Sequence, residues 1–131
     1  MLILDTHIWI WWINQTPKKL SADVILKIEQ SETVAISAIS CFELMWLYTH
    51  NRIVLNIPIH EWFAQATEEA GIICLPISCD IAKLAAELPE HHKDPQDRII
   101  IATAIQQESS LLSADQQFSA YKEIQDLLIS A

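Results

Sequence analysis

Four short apolar runs constrain this chain more than any other feature: Met1–Leu4, Thr33–Ile36, Ile72–Leu75 and Leu111–Ser113. None is long enough for a helix, and none alternates apolar with polar residues as a strand with one wet face would. Such runs suit strands buried on both faces, the condition of a parallel sheet. Helical stretches separate them. Ile8–Ile13 is apolar and carries Trp9, Trp11 and Trp12, and Ser21 caps a helix reaching about Gln30. Cys41–Tyr48 follows Ser40, which with Glu43 matches an S-x-x-E capping box. His60–Ala70 is amphipathic and is stopped by Gly71, the only glycine; Ser78 caps Asp80–Leu88. Strands alternating with helices predict an α/β fold with a mainly parallel sheet covered on both faces. A short extended piece at Ile53–Leu55 and an edge strand within Ile124–Ile129, the latter equally readable as helix, complete the assignment.

A chain of 131 residues, half of them hydrophobic, is expected to make one domain over residues 1–131. No apolar run reaches the ~18 residues that span a bilayer, and Asp5 interrupts the N-terminus too early for a signal peptide. Cys41, Cys74 and Cys79 are odd in number, sit among apolar residues and form no C-x-x-C pair. They read as reduced core thiols, which places the chain in the cytoplasm. The net charge is −9, from 17 acidic and 8 basic residues. That argues against a broad basic face gripping nucleic acid, and suits a metal site or a partner that brings positive charge.

The most crowded polar stretch is His91-His92-Lys93-Asp94-Pro95-Gln96-Asp97-Arg98, which runs directly into the apolar Ile99–Ile105. Pro95 fits the first helical position, Asp94 the N-cap and Asp97 the third residue. A capping box is the plain reading of these acids. Their placement against the others adds a second. Ligands of open α/β sheets sit beyond the carboxyl ends of the strands. Asp5 ends the first strand, Asp115 follows the fourth, and Glu43 opens the helix after the second. The loop Leu88–Lys93 can bring the helix that starts at Asp94 and Asp97 to the same edge. Carboxylates gathered so closely raise one another's pKa unless a cation neutralises them. An all-carboxylate site favours Mg²⁺ or Mn²⁺ over Zn²⁺, and such ions serve phosphodiester hydrolysis.

The ordered set of motifs resembles the PIN-domain ribonucleases, specifically the VapC toxins of type II toxin–antitoxin systems. The residues that carry the likeness are Leu4-Asp5-Thr6-His7 with Trp11-Trp12, Ser37 and Ser40 before Glu43, Asp94-Pro95-Gln96-Asp97-Arg98 with Ala102-Thr103-Ala104, and Leu112-Ser113-Ala114-Asp115 with Phe118 and Tyr121. The resemblance implies a PIN-like three-layer fold around a four- to five-stranded sheet. It also implies an endoribonuclease that depends on Mg²⁺ or Mn²⁺, is neutralised by a cognate antitoxin and forms a homodimer. The family's four acids fall on Asp5, Glu43, Asp97 and Asp115. Asp94 either touches metal or only caps its helix. Thr6 and Ser113 are either supporting hydroxyls or local backbone caps. Arg98 is expected to pair with a neighbouring acid, with phosphate contact as the alternative. His91 and His92 read as solvated loop residues, with metal ligation the alternative; His7 lies near the site or merely opens its helix. The tryptophans read as core and interface residues, Trp11 and Trp12 pointing to opposite sides. A catalytically silent interaction module with the same fold is the competing function. A phosphoacceptor receiver domain fits poorly, since Asp5 stands alone and the third strand ends in Leu75-Pro76.

Overall fold

The computed structural model describes residues 1–131. Five parallel strands form one sheet in the order β3-β2-β1-β4-β5, with β1 Leu2–Leu4, β2 Val34–Ser37, β3 Ile72–Leu75, β4 Ser110–Ser113 and β5 Leu128–Ser130. The helices are α1 Thr6–Asn14, α2 Ala22–Gln30, α3 Ala38–Thr49, α4 Ile59–Ala64, α5 Cys79–Glu87 and α6 Pro95–Gln107.

Strand parity splits the core in two. Leu2 and Leu4 of β1 point to one face, where Ile36, Ile72 and Leu112 meet Ile8 and Trp9 of α1, Val24 and Ile28 of α2, and Trp62. Ile3 points to the other, where Ala35 and Leu111 meet Ile81 and Ala85 of α5, Ile100, Ile101 and Ala104 of α6, and Phe118 and Tyr121. The three-layer arrangement follows, and it explains why the inner strands lack alternation: both of their faces are dry.

The chain order of the sheet matters for function. From β1 the chain moves outward through β2 to the edge strand β3, then returns across the sheet to β4 on the other side of β1. The direction of winding therefore reverses between β1 and β4, and a crevice opens at the carboxyl ends of those two strands.

Several boundaries differ from the sequence reading. α3 begins at Ala38, capped by Ser37, whose Oγ accepts the Ile39 N–H at 3.2 Å. Ser40 is therefore not a cap but a buried residue inside the helix, and Glu43 lies one turn beyond the capping positions. β2 is so short that the helix starts as soon as Ser37 can cap it, three residues before the S-x-x-E match. Ile53–Leu55 forms no strand. α4 gives way to a π-helical turn over Gln65–Glu69 before Gly71, at φ +68°, reverses the chain into β3. The last strand is only Leu128–Ser130, because Lys122–Ile124 is spent on a 3₁₀ turn that buries Ile124. The cysteines are not core residues: Cys41 is half-buried, and Cys74 and Cys79 are exposed. β3 is an edge strand whose middle residues, Ile73 and Cys74, are exposed on opposite faces, and Cys79 opens a surface helix.

Candidate active site

Asp5 sits where β1 ends. Its backbone N–H still pairs with Leu112 O of β4 at 3.0 Å, while its side chain serves two other elements. Oδ1 accepts the Ile8 N–H at 3.0 Å and caps α1, a role the sequence reading missed because it started the helix two residues late. Oδ2 accepts the hydroxyl of Ser113 at the end of β4. The Ser113 Oγ in turn accepts the Asp115 N–H at 3.0 Å. Ser113 thus ties the two strand ends together and also caps locally. Thr6 and Ser40 are both buried, and their hydroxyls lie 2.8 Å apart, which pins the start of α1 to the first turns of α3 and so brings Glu43 over the crevice.

Asp94 caps α6 as expected, its Oδ1 accepting the Gln96 N–H at 2.9 Å, with Pro95 at the first helical position. Asp97 does not reach back to complete a box. It points at His92, whose Nε2 lies 2.6 Å from Asp97 Oδ2 and 3.4 Å from Asp115 Oδ2. His92 Nδ1 accepts the Asp94 N–H at 3.4 Å, so the ring's proton belongs on Nε2, facing the two acids. Asp115 Oδ1 is committed to the Gln117 N–H at 2.9 Å, which leaves Oδ2 turned into the crevice.

The reading of His92 as solvated is therefore corrected. Its backbone is gripped at both polar atoms: the N–H donates to Tyr121 Oη at 2.9 Å, and the carbonyl accepts from Tyr121 and from Arg98. The expected pairing of Arg98 with an acid is corrected too. The guanidinium is buried and donates only to carbonyls, those of Ala86 (3.2 Å), Leu88 (2.6 Å), Pro89 (2.9 Å) and His92 (3.2 Å). Two of these close the C-terminus of α5, where orphan carbonyls and the negative end of the helix dipole favour a cation. The rest fold the loop around it. No pattern in the sequence signals a side chain that satisfies its own preceding loop rather than the acids beside it.

Electrostatics join the acids into one cluster. Burial raises the Asp5 carboxyl above its usual range; its bonds to Ser113 and Ile8 and the charge of His7 oppose the rise, and Asp115 adds to it. Glu43 is raised by burial, opposed by the Thr6 hydroxyl and His7, and pushed further by Asp94 and Asp5. Asp97 is pushed up to about 7 by burial and then by Asp94, with His92 opposing and Glu43 and Asp115 adding. His7, though exposed, is therefore near the site. Glu43 Oε2 is fully buried and has no hydrogen-bond partner. Thr6 has one proton, and if Ser40 donates within their pair that proton is free for Glu43, but it cannot serve both carboxylate oxygens. An orphaned carboxylate oxygen among acids of raised proton affinity fits a site built for a cation. Donor atoms of His92, Asp97 and Asp115 lie mutually within 4.8 Å. Asp5 and Glu43 border that trio electrostatically.

The sign of the pH effect follows. Asp97 is raised above its unfolded value, so its stabilising contribution is complete below about pH 4 and is lost as pH rises through about 7; Asp5 and Glu43, raised as well, act in the same direction. We expect the melting temperature of chelator-treated protein to rise as pH is lowered from 8 to 5, and excess Mn²⁺ to flatten the profile. Thermal unfolding across that range measures it; a melting temperature that falls steadily on acidification contradicts the cluster.

An acid-lined crevice at the reversal point of a five-stranded parallel sheet defines a class of α/β protein whose chemistry lies at the strand ends. The model of the PIN domain matches residues 2–124, and the chain belongs to that family. It is 35% identical over 122 residues to "Ribonuclease VapC22" of Mycobacterium tuberculosis, covering 92% of each chain. The fold is similar to that in the crystal structure of VapBC2 from Rickettsia felis bound to a promoter DNA fragment (TM-score 0.70, 18% identity, 99% of this chain and 98% of that one). It is also similar to a chain of a toxin–antitoxin complex from Klebsiella pneumoniae (TM-score 0.69, 20% identity, 99% and 97%).

Proposed function

We propose that this protein is a divalent-metal-dependent endoribonuclease, the toxin of a type II toxin–antitoxin pair, acting in the cytoplasm as one domain over residues 1–131. The observation that carries the reading is the convergence of Asp5, Glu43, Asp94, Asp97 and Asp115 on one crevice, with the buried oxygen of Glu43 left unpartnered. The 35% identity to a protein named a ribonuclease supports the reaction class.

Asp5, Glu43, Asp97 and Asp115 are the proposed metal-binding and catalytic acids. Asp94 caps α6 and adds negative charge to Asp97 and Glu43 rather than standing among the ligands. Mg²⁺ or Mn²⁺ held there supplies stabilisation of charge on a phosphoryl group and acidifies water. The chain's own part is positioning. Ser113 fixes the Asp5 carboxylate, the Gln117 N–H orients Asp115, and His92 holds a proton at Nε2 between Asp97 and Asp115. With Arg98 withdrawn into its loop, the RNA phosphate gains no guanidinium at the site, so acceptance of the anion falls to the cation. The charge of −9 makes that dependence general.

The cognate antitoxin is the proposed partner. A groove of about 620 Å³ between α1 and α2 is lined by Trp11, Trp12, Leu20 and Ile25 with Lys18 and Glu29 beside them, and it suits a peptide with apolar side chains. Trp11 and Trp12 both border it, contrary to the expectation that they part to opposite sides. Exposed Phe42, Met45 and Trp46 on α3 give the proposed homodimer an apolar surface. No helix is long and apolar enough to cross a membrane.

RNA cleavage by the purified protein is expected to stop in EDTA and return with excess Mn²⁺ or Mg²⁺. Cleavage that persists after thorough chelation would overturn the metal dependence. Failure to cut any RNA with metal present, by a folded protein whose expression leaves a bacterial host growing normally, would favour the silent-module reading.

A further inference from the structure

Two of the three cysteines meet across elements far apart in sequence. Cys74 lies on edge strand β3, where it pairs in register with Ile36 of β2. The chain leaves β2 at Ser37 and turns at once into α3, so the first turn of that helix passes back over the β2–β3 pair. Cys41 is on that turn and packs partly against the same face of the sheet that receives Ile72, the face to which parity also assigns Cys74. The two Sγ atoms are 3.8 Å apart, Cys74 exposed and Cys41 half-buried. Closing that gap to a bond of about 2.05 Å asks for a shift of less than two ångströms, within reach of side-chain rotation and a small helix adjustment.

We propose that Cys41 and Cys74 are an oxidation site: a low-molecular-weight disulfide converts them into an intramolecular cystine that fastens the start of α3 to the edge of the sheet. With oxidised glutathione the balance is simple. The Cys74 thiol loses its proton to solvent, and its sulfur attacks one glutathione sulfur, breaking the glutathione S–S bond and releasing one glutathione thiolate. Cys41 then loses its proton and attacks Cys74 Sγ, breaking the mixed disulfide and releasing the second thiolate. Two protein thiols are oxidised, one glutathione disulfide is reduced, and both leaving thiolates take up protons. Exposure makes Cys74 the entering thiol. Cys41 is the resolving one: burial first, and then the neighbouring Cys74, push its thiol up to about 12, so it does not react alone. Cys79 is exposed as well and serves as the internal control.

The test is to incubate the intact, folded protein with oxidised glutathione, then count free thiols and map disulfide-linked peptides by mass spectrometry. The expected result is a peptide pair joining Cys41 to Cys74, whether or not exposed Cys79 carries a glutathione, and in Cys79→Ser a fall from two thiols to none with a mass loss of two hydrogen atoms. Cys41→Ser should instead retain a stable glutathione adduct on Cys74, and Cys79→Ser should close like the parent. Three surviving thiols, a persistent glutathione adduct on the parent's Cys74, or a Cys74–Cys79 peptide pair would each overturn the assignment. Circular dichroism of each variant confirms that an altered result does not come from unfolding. Because the readout is the bond itself, its outcome is separate from whether the protein cuts RNA.

Discussion

Asp5→Asn is expected to lower RNA cleavage by about a hundredfold or more, the scale on which a single charge-organising group acts in a site of this kind, while the protein stays folded. The substitution keeps an oxygen to cap α1 at the Ile8 N–H and keeps a polar group against Ser113. It removes a carboxylate whose burial disfavours its charged form, so the metal-free variant should melt at the same temperature as the parent or higher. Loss of activity with retained or improved stability separates a functional acid from a structural one. A variant that cuts at the parent's rate would remove Asp5 from the site, and with it the argument that strand ends gather the acids. Asp97→Asn, which disturbs the pairing with His92 and leaves the helix cap at Asp94 in place, gives an independent route to the same answer.

The second large effect is on stability. Arg98→Ala leaves the carbonyls of Ala86, Leu88 and Pro89 without their donor, and that of His92 with Tyr121 alone. With each charge-assisted bond contributing on the order of 1–3 kcal/mol and imperfect additivity, a loss of about 4 kcal/mol is reasonable. In a domain of this size that corresponds to a fall of about 15 °C in melting temperature. Arg98→Lys should recover less than half, since one ammonium cannot reach four carbonyls spread around a planar guanidinium. Hydrogen exchange should accelerate over residues 86–93 in both variants, because the loop is organised around that side chain. A change of only one or two degrees for Arg98→Ala would mean that water replaces the guanidinium without cost, and the loop would have to be held by Tyr121 alone.

What the sequence made legible, and what it hid, divides along physical lines. The strand runs were readable because burial on both faces removes polar residues from them, and Asp5 and Asp115 stood out as the first charges after such runs. From there, rules of chain connection were enough to bring Glu43 to the same edge. Asp94 and Pro95 declared a helix start because their cap chemistry is local. The misreadings share a cause. Ser40 satisfied a local pattern that Ser37 had already pre-empted, since the earlier residue was the first able to cap. Arg98 was surrounded in sequence by acids, yet its partners are carbonyls reached only after the loop folds back. His92 looked like an ordinary loop residue because its two anchors, Arg98 and Tyr121, lie 6 and 29 positions away. The cysteine pair was hidden for the same reason, a separation of 33 residues closed by the turn from β2 into α3.

The proposed enzyme requires that these acids share a cation. Crystals of the protein grown with MnCl₂ and measured at the manganese absorption edge give the most direct answer. The expected result is an anomalous peak in the crevice between β1 and β4, within coordination distance of carboxylate oxygens from Asp97 and Asp115 and of at least one from Asp5 or Glu43. A crevice without a peak at saturating Mn²⁺, with His92 still inserted between Asp97 and Asp115, would contradict it.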